Sequence, residues 1–246
     1  MRRSNVKNNL DIIDGVLLVD KAPDMTSHDV VAVGRRTLDQ KKIGHCGTLD
    51  PMATGLLILV LGRGTKIQDL LMAEEKEYEG TITLGATTHT QDREGDVLET
   101  KEVGDYSEEQ IRAAFDLLTG DFEQIPPMVS AIKQDGVPLY KLARQGKTVE
   151  RKPRAVSVFE YEITRIALPE IDFRVVCSKG FYVRTYAHEI GATLGCGGHL
   201  SALRRTRSGK FLAEGGVTFS ELKECSREQV RERVLSLSAV SKLRGA

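Results

Sequence analysis

Apolar residues fall along this chain in two patterns, short continuous runs and spaced sets, which predict different elements. Gly15 to Asp20 (GVLLVD) and Leu56 to Leu61 (LLILVL) are continuous runs of strand length, while Tyr78 to Gly85 alternates with the period of a half-buried strand. Helical spacing appears in Val30, Val31, Val33 and Leu38, behind a capping box formed by Thr26 and Asp29. A second box, Ser107 with Gln110, opens a helix carrying Ile111, Phe115 and Leu118. A further helix passes through Ile67, Leu70 and Leu71.

Two strands are predicted at about 155–167 and 170–177, with Leu168-Pro169 near the turn between them. Val183, Tyr186/Ala187, Ile190 and Leu194 recur on one face of a helix from Phe181 to Leu194. Boxes at Thr218/Glu221 and Ser226/Gln229 start two closing helices. Residues 1–14 are polar and read as a flexible N-terminus, Gly44–Gly55 as a glycine-bearing loop, and 120–153 as a long loop holding a short helix. Strands of mixed spacing interleaved with a few helices predict an α+β fold with a largely antiparallel sheet.

Composition narrows the class without naming a chemistry. The 246 residues are 40% hydrophobic and 28% charged, which excludes disorder as the main state. The run Leu56–Leu61 is far shorter than the ~20 residues a membrane-spanning helix needs. Cys46, Cys177, Cys196 and Cys225 are scattered without CxxC spacing, the pattern of reduced thiols, and the chain reads as cytoplasmic. Lys and Arg balance Asp and Glu at 35 each, but unevenly along the chain. Residues 141–154 hold six basic side chains and one acidic, 199–210 hold four basic and none acidic, and 92–109 hold eight acidic and two basic. A phosphate backbone senses such patches within a Debye length, although solvated surface charge fits the counts equally well. No segment presents an exposed apolar face, which implies a monomer.

Candidate chemistry is sparse. Asp50 stands between Leu49 and Pro51 on a loop entering a fully apolar strand. A carboxylate there needs a cation or hydrogen bonds to stay ionised, and a turn aspartate capping its own loop fits the composition equally well. Gly62-Arg63-Gly64-Thr65-Lys66-Ile67 follows a strand but carries Ile67 where a dinucleotide loop needs its third glycine, and no GxxxxGK[ST] occurs. Cys196 and His199 form one plausible ligand pair without a second, so no metal is expected.

Six segments in order resemble the bacterial TruB family, whose members isomerise uridine 55 in the T-loop of tRNA to pseudouridine. They are GVLLVDK (15–21), GHCGTLDPMATGLL (44–57), KEYEG (76–80), QIPPMVSAIKQDGVPLYKLARQG (124–146), CSKGFYVRT (177–185) and HLSALRR (199–205). The resemblance implies the pseudouridine synthase fold, a central mixed, mainly antiparallel sheet flanked by helices, with a basic RNA-binding insertion at about 120–153. Asp50 matches the family's catalytic aspartate, which attacks either the base or C1′ of the ribose. Arg184 matches the arginine that pairs with that aspartate, and Tyr78 the tyrosine that stacks on the flipped base. Lys21 matches a positional lysine, His45 a histidine packing on the RNA where the base leaves the stack, and Leu203 an apolar wall of the uracil pocket. Phosphate contacts to the T-arm fall to Lys133, Arg144, Lys147, Arg151, Lys152 and Arg154 in the insertion, and to Arg204 and Arg205 in a cluster with Arg207.

The resemblance implies no cofactor, since the reaction is an isomerisation. It also marks departures. Lys21-Ala22-Pro23-Asp24 stands where the family usually has Lys-Pro-x-Gly, and Cys46 stands where it often has Thr. A catalytic domain over 15–246 without the family's C-terminal PUA domain is expected. An RNA-folding chaperone on the same scaffold, or a small-molecule enzyme using Asp50 as a base, are the competing readings.

Overall fold

A computed structural model describes residues 12–134, 136–143, 145–147 and 149–245. The elements run β1 (Gly15–Lys21), α1 (Ser27–Thr37), β2 (Ile43–Cys46), β3 (Thr54–Leu61), a 3-10 turn (Gly62–Ile67), α2 (Gln68–Met72), β4 (Lys76–Leu84), β5 (Ala86–Thr88), β6 (Val97–Thr100), α3 (Glu108–Asp116) and β7 (Gly120–Gln124). There follow β8 (Lys133–Gln134), β9 (Val137–Pro138), α4 (Leu139–Ala143), β10 (Arg154–Ala167), β11 (Glu170–Cys177), α5 (Val183–Leu194), β12 (Gly198–Ser208), β13 (Phe211–Leu212), β14 (Val217–Thr218), α6 (Phe219–Glu224), α7 (Arg227–Glu232) and α8 (Leu237–Arg244). They form two compact units, residues 1–72 with 209–246, and residues 73–208.

In the first unit β1 lies antiparallel to β3 and parallel to β14, and β2 pairs with Ile58–Leu61 of β3. The unbroken apolar run of β3 is buried from Gly55 to Leu61, as a strand covered on both faces requires. Its side chains join Val16, Leu71, Phe211 and Val240 in one core. The capping boxes at Thr26, Thr218 and Ser226 all close as the sequence predicts. Packing of α1 against the closing helices is fixed by polar contacts: the Thr37 hydroxyl donates to the Leu222 carbonyl and Arg227 Nε to that of Leu38.

Two boundaries differ from expectation here. Residues 1–11 of the expected flexible N-terminus lie outside the described residues, but Ile13 is buried and Gln40 brackets its backbone. Its N–H donates to Gln40 Oε1 at 2.8 Å and its carbonyl accepts from Nε2 at 2.9 Å. Asp14 accepts the Arg63 N–H at 2.6 Å. The expected loop Gly44–Gly55 is shorter at its start, because Gly44, His45 and Cys46 pair with β3 as part of β2.

In the second unit the strands run β12-β4-β11-β10-β7, every neighbouring pair antiparallel. Helices α3 and α5 bury an aromatic cluster on this sheet, with the Tyr186 ring 5.6 Å from Phe115 and 5.9 Å from Phe173. Burial pushes the Tyr186 hydroxyl pKa upward. The segment 120–153 holds the expected short helix as α4, but it begins as β7 and also contains the β8–β9 pair. Strand β12 is legible in the sequence only as a motif. Irregularities between Leu200 and Ala202 and between Arg205 and Arg207 break its period of two.

Candidate active site

Asp50 is half-buried between Leu49, Met52 and Ala53, which are all buried. Pro51 keeps the preceding residue out of the helical region, and the Asp50 carbonyl accepts the Ala53 N–H at 3.1 Å, closing a tight turn. Lys21, 1% exposed at the end of β1, donates its ammonium to the Pro51 carbonyl at 3.1 Å and to that of Ala22 at 2.8 Å. In the turn after Lys21, Asp24 takes the left-handed conformation (φ 60°) that glycine adopts most readily. His45 lies in β2, where Gln68 Nε2 donates to its carbonyl at 3.1 Å. Its ring meets that of His28 in a T-shaped contact, with centroids 5.4 Å apart. Asp50, Lys21 and His45 belong to one unit, and Lys21 is tied to the Asp50 turn through the Pro51 carbonyl.

The remaining candidates lie in the second unit. Tyr78 on β4 stands opposite Arg205 on β12 and Val175 on β11, and Leu203 stands opposite Gly80. Directly opposed residues point to the same face, so Tyr78, Leu203 and Arg205 share a face of the sheet, and all three are buried. Cys177 is also buried, and burial pushes its thiol up to about 12 against the opposing charges of Lys76 and Arg205. Arg184, 3% exposed in the first turn of α5, donates Nη1 to the Thr90 carbonyl at 2.9 Å and Nη2 to that of Val129 at 2.8 Å. Its Nη1 is 3.6 Å from Asp92 Oδ2.

The expected arginine cluster on β12 does not form one surface. Alternation turns Arg205 inward, to 2% exposure, and Arg204 the other way, and the irregularity between Arg205 and Arg207 puts Arg207 opposite Glu77, on the Arg204 face. Arg204 stands opposite Glu79, and Arg207 reaches Glu75 at 2.6 Å and Glu77 at 3.7 Å. A buried guanidinium and one already paired with carboxylates are poor phosphate ligands, and Arg205, expected to hold phosphate, lies inside the protein.

In the insertion the expectation divides. Lys147, Lys152 and Arg154 are exposed, and Arg151 is half-buried with Nη1 on the Pro126 carbonyl at 3.1 Å. Arg151, Lys152 and Arg154, with Glu150 and Gln134, line a cavity of about 410 Å³ together with Pro126, Ile132 and Leu139. Lys133 opens β8, and Arg144 lies outside the described residues.

Several residues give no sign of their role in the sequence. Asp92 belongs by position to the acidic run 92–109, yet it is 3% exposed and accepts from the Thr90 hydroxyl at 2.6 Å and the Glu94 N–H at 3.0 Å. Gln124, 1% exposed, brackets Tyr182 beside Arg184, accepting its N–H at 2.8 Å and donating to its carbonyl at 3.2 Å. Ser27 makes a similar bracket on Leu49. Side chains that bond backbone leave no spacing signal. Among the described residues no group of His, Cys, Asp and Glu could hold a metal ion, and no helix is long and apolar enough to cross a membrane.

Comparison with known proteins agrees across the chain. Residues 35–183 match the family described as TruB family pseudouridylate synthase (N terminal domain). Residues 184–241 match the tRNA pseudouridylate synthase B C-terminal domain. A tRNA pseudouridine synthase B of Opitutus terrae is 54% identical over 223 residues, spanning 91% of this chain and 92% of that protein. One from Syntrophotalea carbinolica is 46% identical over 226 residues, 92% of this chain and 74% of its own length. Among solved structures, a chain of a Cbf5-Nop10-Gar1 complex superposes with a TM-score of 0.72 at 30% identity, over 95% of this chain and 63% of that one. A chain of the archaeal box H/ACA sRNP Nop10-Cbf5 complex gives 0.68 at 30%, with 96% and 62% covered. The chain thus spans less than two thirds of each of those structural relatives.

Proposed function

The chain belongs to the TruB family of pseudouridylate synthases, and from that membership and the setting of Asp50 we propose that it isomerises uridine 55 in the T-loop of tRNA to pseudouridine. The observation that carries this reading is the segment 44–57. It lies within the matched family region and presents Asp50 half-buried on a turn tied to buried Lys21.

The target base is first taken out of the stack, because its glycosidic bond is inaccessible inside folded RNA. Asp50 supplies the carboxylate that attacks, either at the base or at C1′. The N1–C1′ bond breaks and a C5–C1′ bond forms, while the C5 proton leaves and N1 gains one. Substrate and product are isomers, so the atom balance calls for no cofactor. Tyr78 stacks on the extruded uracil, an aromatic face being tolerant of small rotations of the base. Leu203 forms the apolar wall of the base pocket, and Arg184 contributes a fixed positive charge. Lys21 positions the loop, and His45 packs on the RNA where the base leaves. Lys147, Arg151, Lys152 and Arg154 hold T-arm phosphates, which positions the RNA without reading its sequence.

The test is tritium release from a tRNA transcript labelled at C5 of uridine. About one equivalent released by the wild type, none by Asp50→Asn, and none from a transcript with that T-loop uridine replaced would support activity, residue and site together. A folded wild type that binds tRNA but releases nothing would overturn the reading and leave RNA chaperoning as the alternative.

A further inference from the structure

Ser27 is the first residue of α1 and is 1% exposed. Its hydroxyl oxygen accepts the Leu49 N–H at 2.9 Å and its proton reaches the Leu49 carbonyl at 3.2 Å. One hydroxyl can make both bonds at once, since it carries one donor proton and two lone pairs. The Leu49 N–H belongs to the peptide plane before Leu49, and its carbonyl belongs to the plane shared with the N–H of Asp50. A single oxygen atom therefore fixes two successive peptide planes immediately before Asp50.

The following side is fixed independently. The Asp50 carbonyl is held by the Ala53 N–H, the Pro51 ring locks its own φ, and the Pro51 carbonyl accepts from Lys21. Ser27 itself has little freedom. The capping box directly before it closes with the Asp29 N–H on Thr26 Oγ1 at 3.2 Å and the Thr26 N–H on Asp29 Oδ2 at 2.8 Å. Lys21 and Ser27 come from the end of β1 and the start of α1, so the two tethers bracket the Asp50 turn from consecutive rigid elements.

We propose that Ser27 is a positioning residue for Asp50, holding the preceding backbone so that the carboxylate is presented in reactive geometry. This rests on the reading of Asp50 as the attacking group. Similar brackets hold Ile13 through Gln40 and Tyr182 through Gln124, and the one made by Ser27 differs in gripping the residue directly before Asp50. Lys147, Lys152 and Arg154, assigned to phosphate, lie outside the unit that holds Ser27, so the defect is expected in the chemical step. A displacement of about 1 Å at a reacting group costs about a hundredfold in rate.

The test compares Ser27→Ala, Ser27→Thr and Ser27→Val with the wild type and Asp50→Asn. The readouts are single-turnover tritium release and tRNA affinity by filter binding. Threonine and valine add the same methyl bulk, so their ratio isolates the hydroxyl from any packing effect. The expected result is a rate for Ser27→Ala about 10- to 100-fold below wild type with affinity within about twofold. Ser27→Thr should react at least about tenfold faster than Ser27→Val. Equal rates for threonine and valine, or a wild-type rate for Ser27→Ala, beside an inactive Asp50→Asn would overturn the role of Ser27 alone. An active Asp50→Asn would instead overturn the reading of Asp50, and Ser27's role with it.

Discussion

Arg184 and Asp92 face each other at 3.6 Å inside the second unit, with side chains only 4% and 5% exposed. Such a pair is tolerated because each charge has further partners. Two backbone carbonyls accept from the guanidinium, and Asp92 Oδ1 accepts from the Thr90 hydroxyl and the Glu94 N–H. The aspartate sits in a turn between β5 and β6, where Gln91 adopts a φ of 64°. The Gln91 carbonyl and the Arg93 N–H both bond Leu200 of β12. A residue that belongs numerically to an acidic surface run thus anchors one end of the arginine assigned to the reaction.

Removing one partner of a buried pair leaves the other charge uncompensated, so Asp92→Asn should destabilise the protein by about 3–5 kcal/mol. Urea unfolding measures this directly. The same variant should lose pseudouridine formation at temperatures where it remains folded, because Arg184 is no longer held in one orientation. A change below about 1 kcal/mol with full activity would show that the two carbonyls alone hold Arg184.

The division of cations between surface and interior predicts different salt behaviour. Removing one cation that neutralises a phosphate should flatten the dependence of log Kd on log salt by about 0.7–0.9. Lys152→Ala and Arg154→Ala, both at exposed positions beside the cavity, should each show that change in tRNA binding. Arg207→Ala should leave the slope as it is, since Glu75 and Glu77 already occupy the guanidinium. Equal slopes for all three variants would move the RNA surface away from residues 151–154.

What the sequence discloses, and what it withholds, follows from the kind of signal each residue leaves. Capping boxes are local, so Thr26, Ser107, Thr218 and Ser226 mark their helix starts correctly. Long apolar or alternating runs mark β1, β3 and β4. Strand β12 escapes because charged residues occupy both of its faces, and a count of basic side chains does not show that Arg205 turns inward while Arg207 turns outward. Asp92 escapes for the same reason, since burial is decided by partners distant in sequence. The motifs place Asp50, Tyr78 and Arg184 by resemblance, whereas the brackets made by Ser27 and Gln124 exist only between a side chain and a remote backbone.

A pH dependence near neutrality follows from His188 on α5. Burial lowers its pKa in the folded protein, opposed by a hydrogen bond that its ring makes to the Gly198 backbone. The unfolded chain therefore binds the proton more readily, and stability rises with pH where the two states differ. The contribution is fully present above the ordinary histidine value of about 6.5 and is lost as pH falls through the folded value. His188→Gln should flatten this part of the profile. Thermal midpoints measured between pH 7.5 and about 5 check it, and an unchanged slope in the variant would assign the dependence to another group.

Gly80 links the packing of the second unit to the position of Tyr78. A Cβ built on Gly80 would come within 2.8 Å of Phe173 Cζ and 3.2 Å of the Ala202 carbonyl. Phe173 is 1% exposed and packed against both Phe115 and Tyr186, so its ring has little room to retreat. In an open strand, replacing glycine by alanine stabilises by about 0.5–1 kcal/mol through backbone entropy. Here overpacking costs about 1–3 kcal/mol, and the clash wins. Gly80→Ala should therefore lower stability, and because Leu203 lies opposite Gly80 and Tyr78 two residues before it, the variant should also slow pseudouridine formation. Phe173→Leu removes the ring that Cβ meets, so the double variant should lose less stability than the sum of the single changes, by about 1 kcal/mol in a double-mutant cycle. Strict additivity would place the clash elsewhere, and a stabilised Gly80→Ala would show that the sheet yields around residue 80 at little cost.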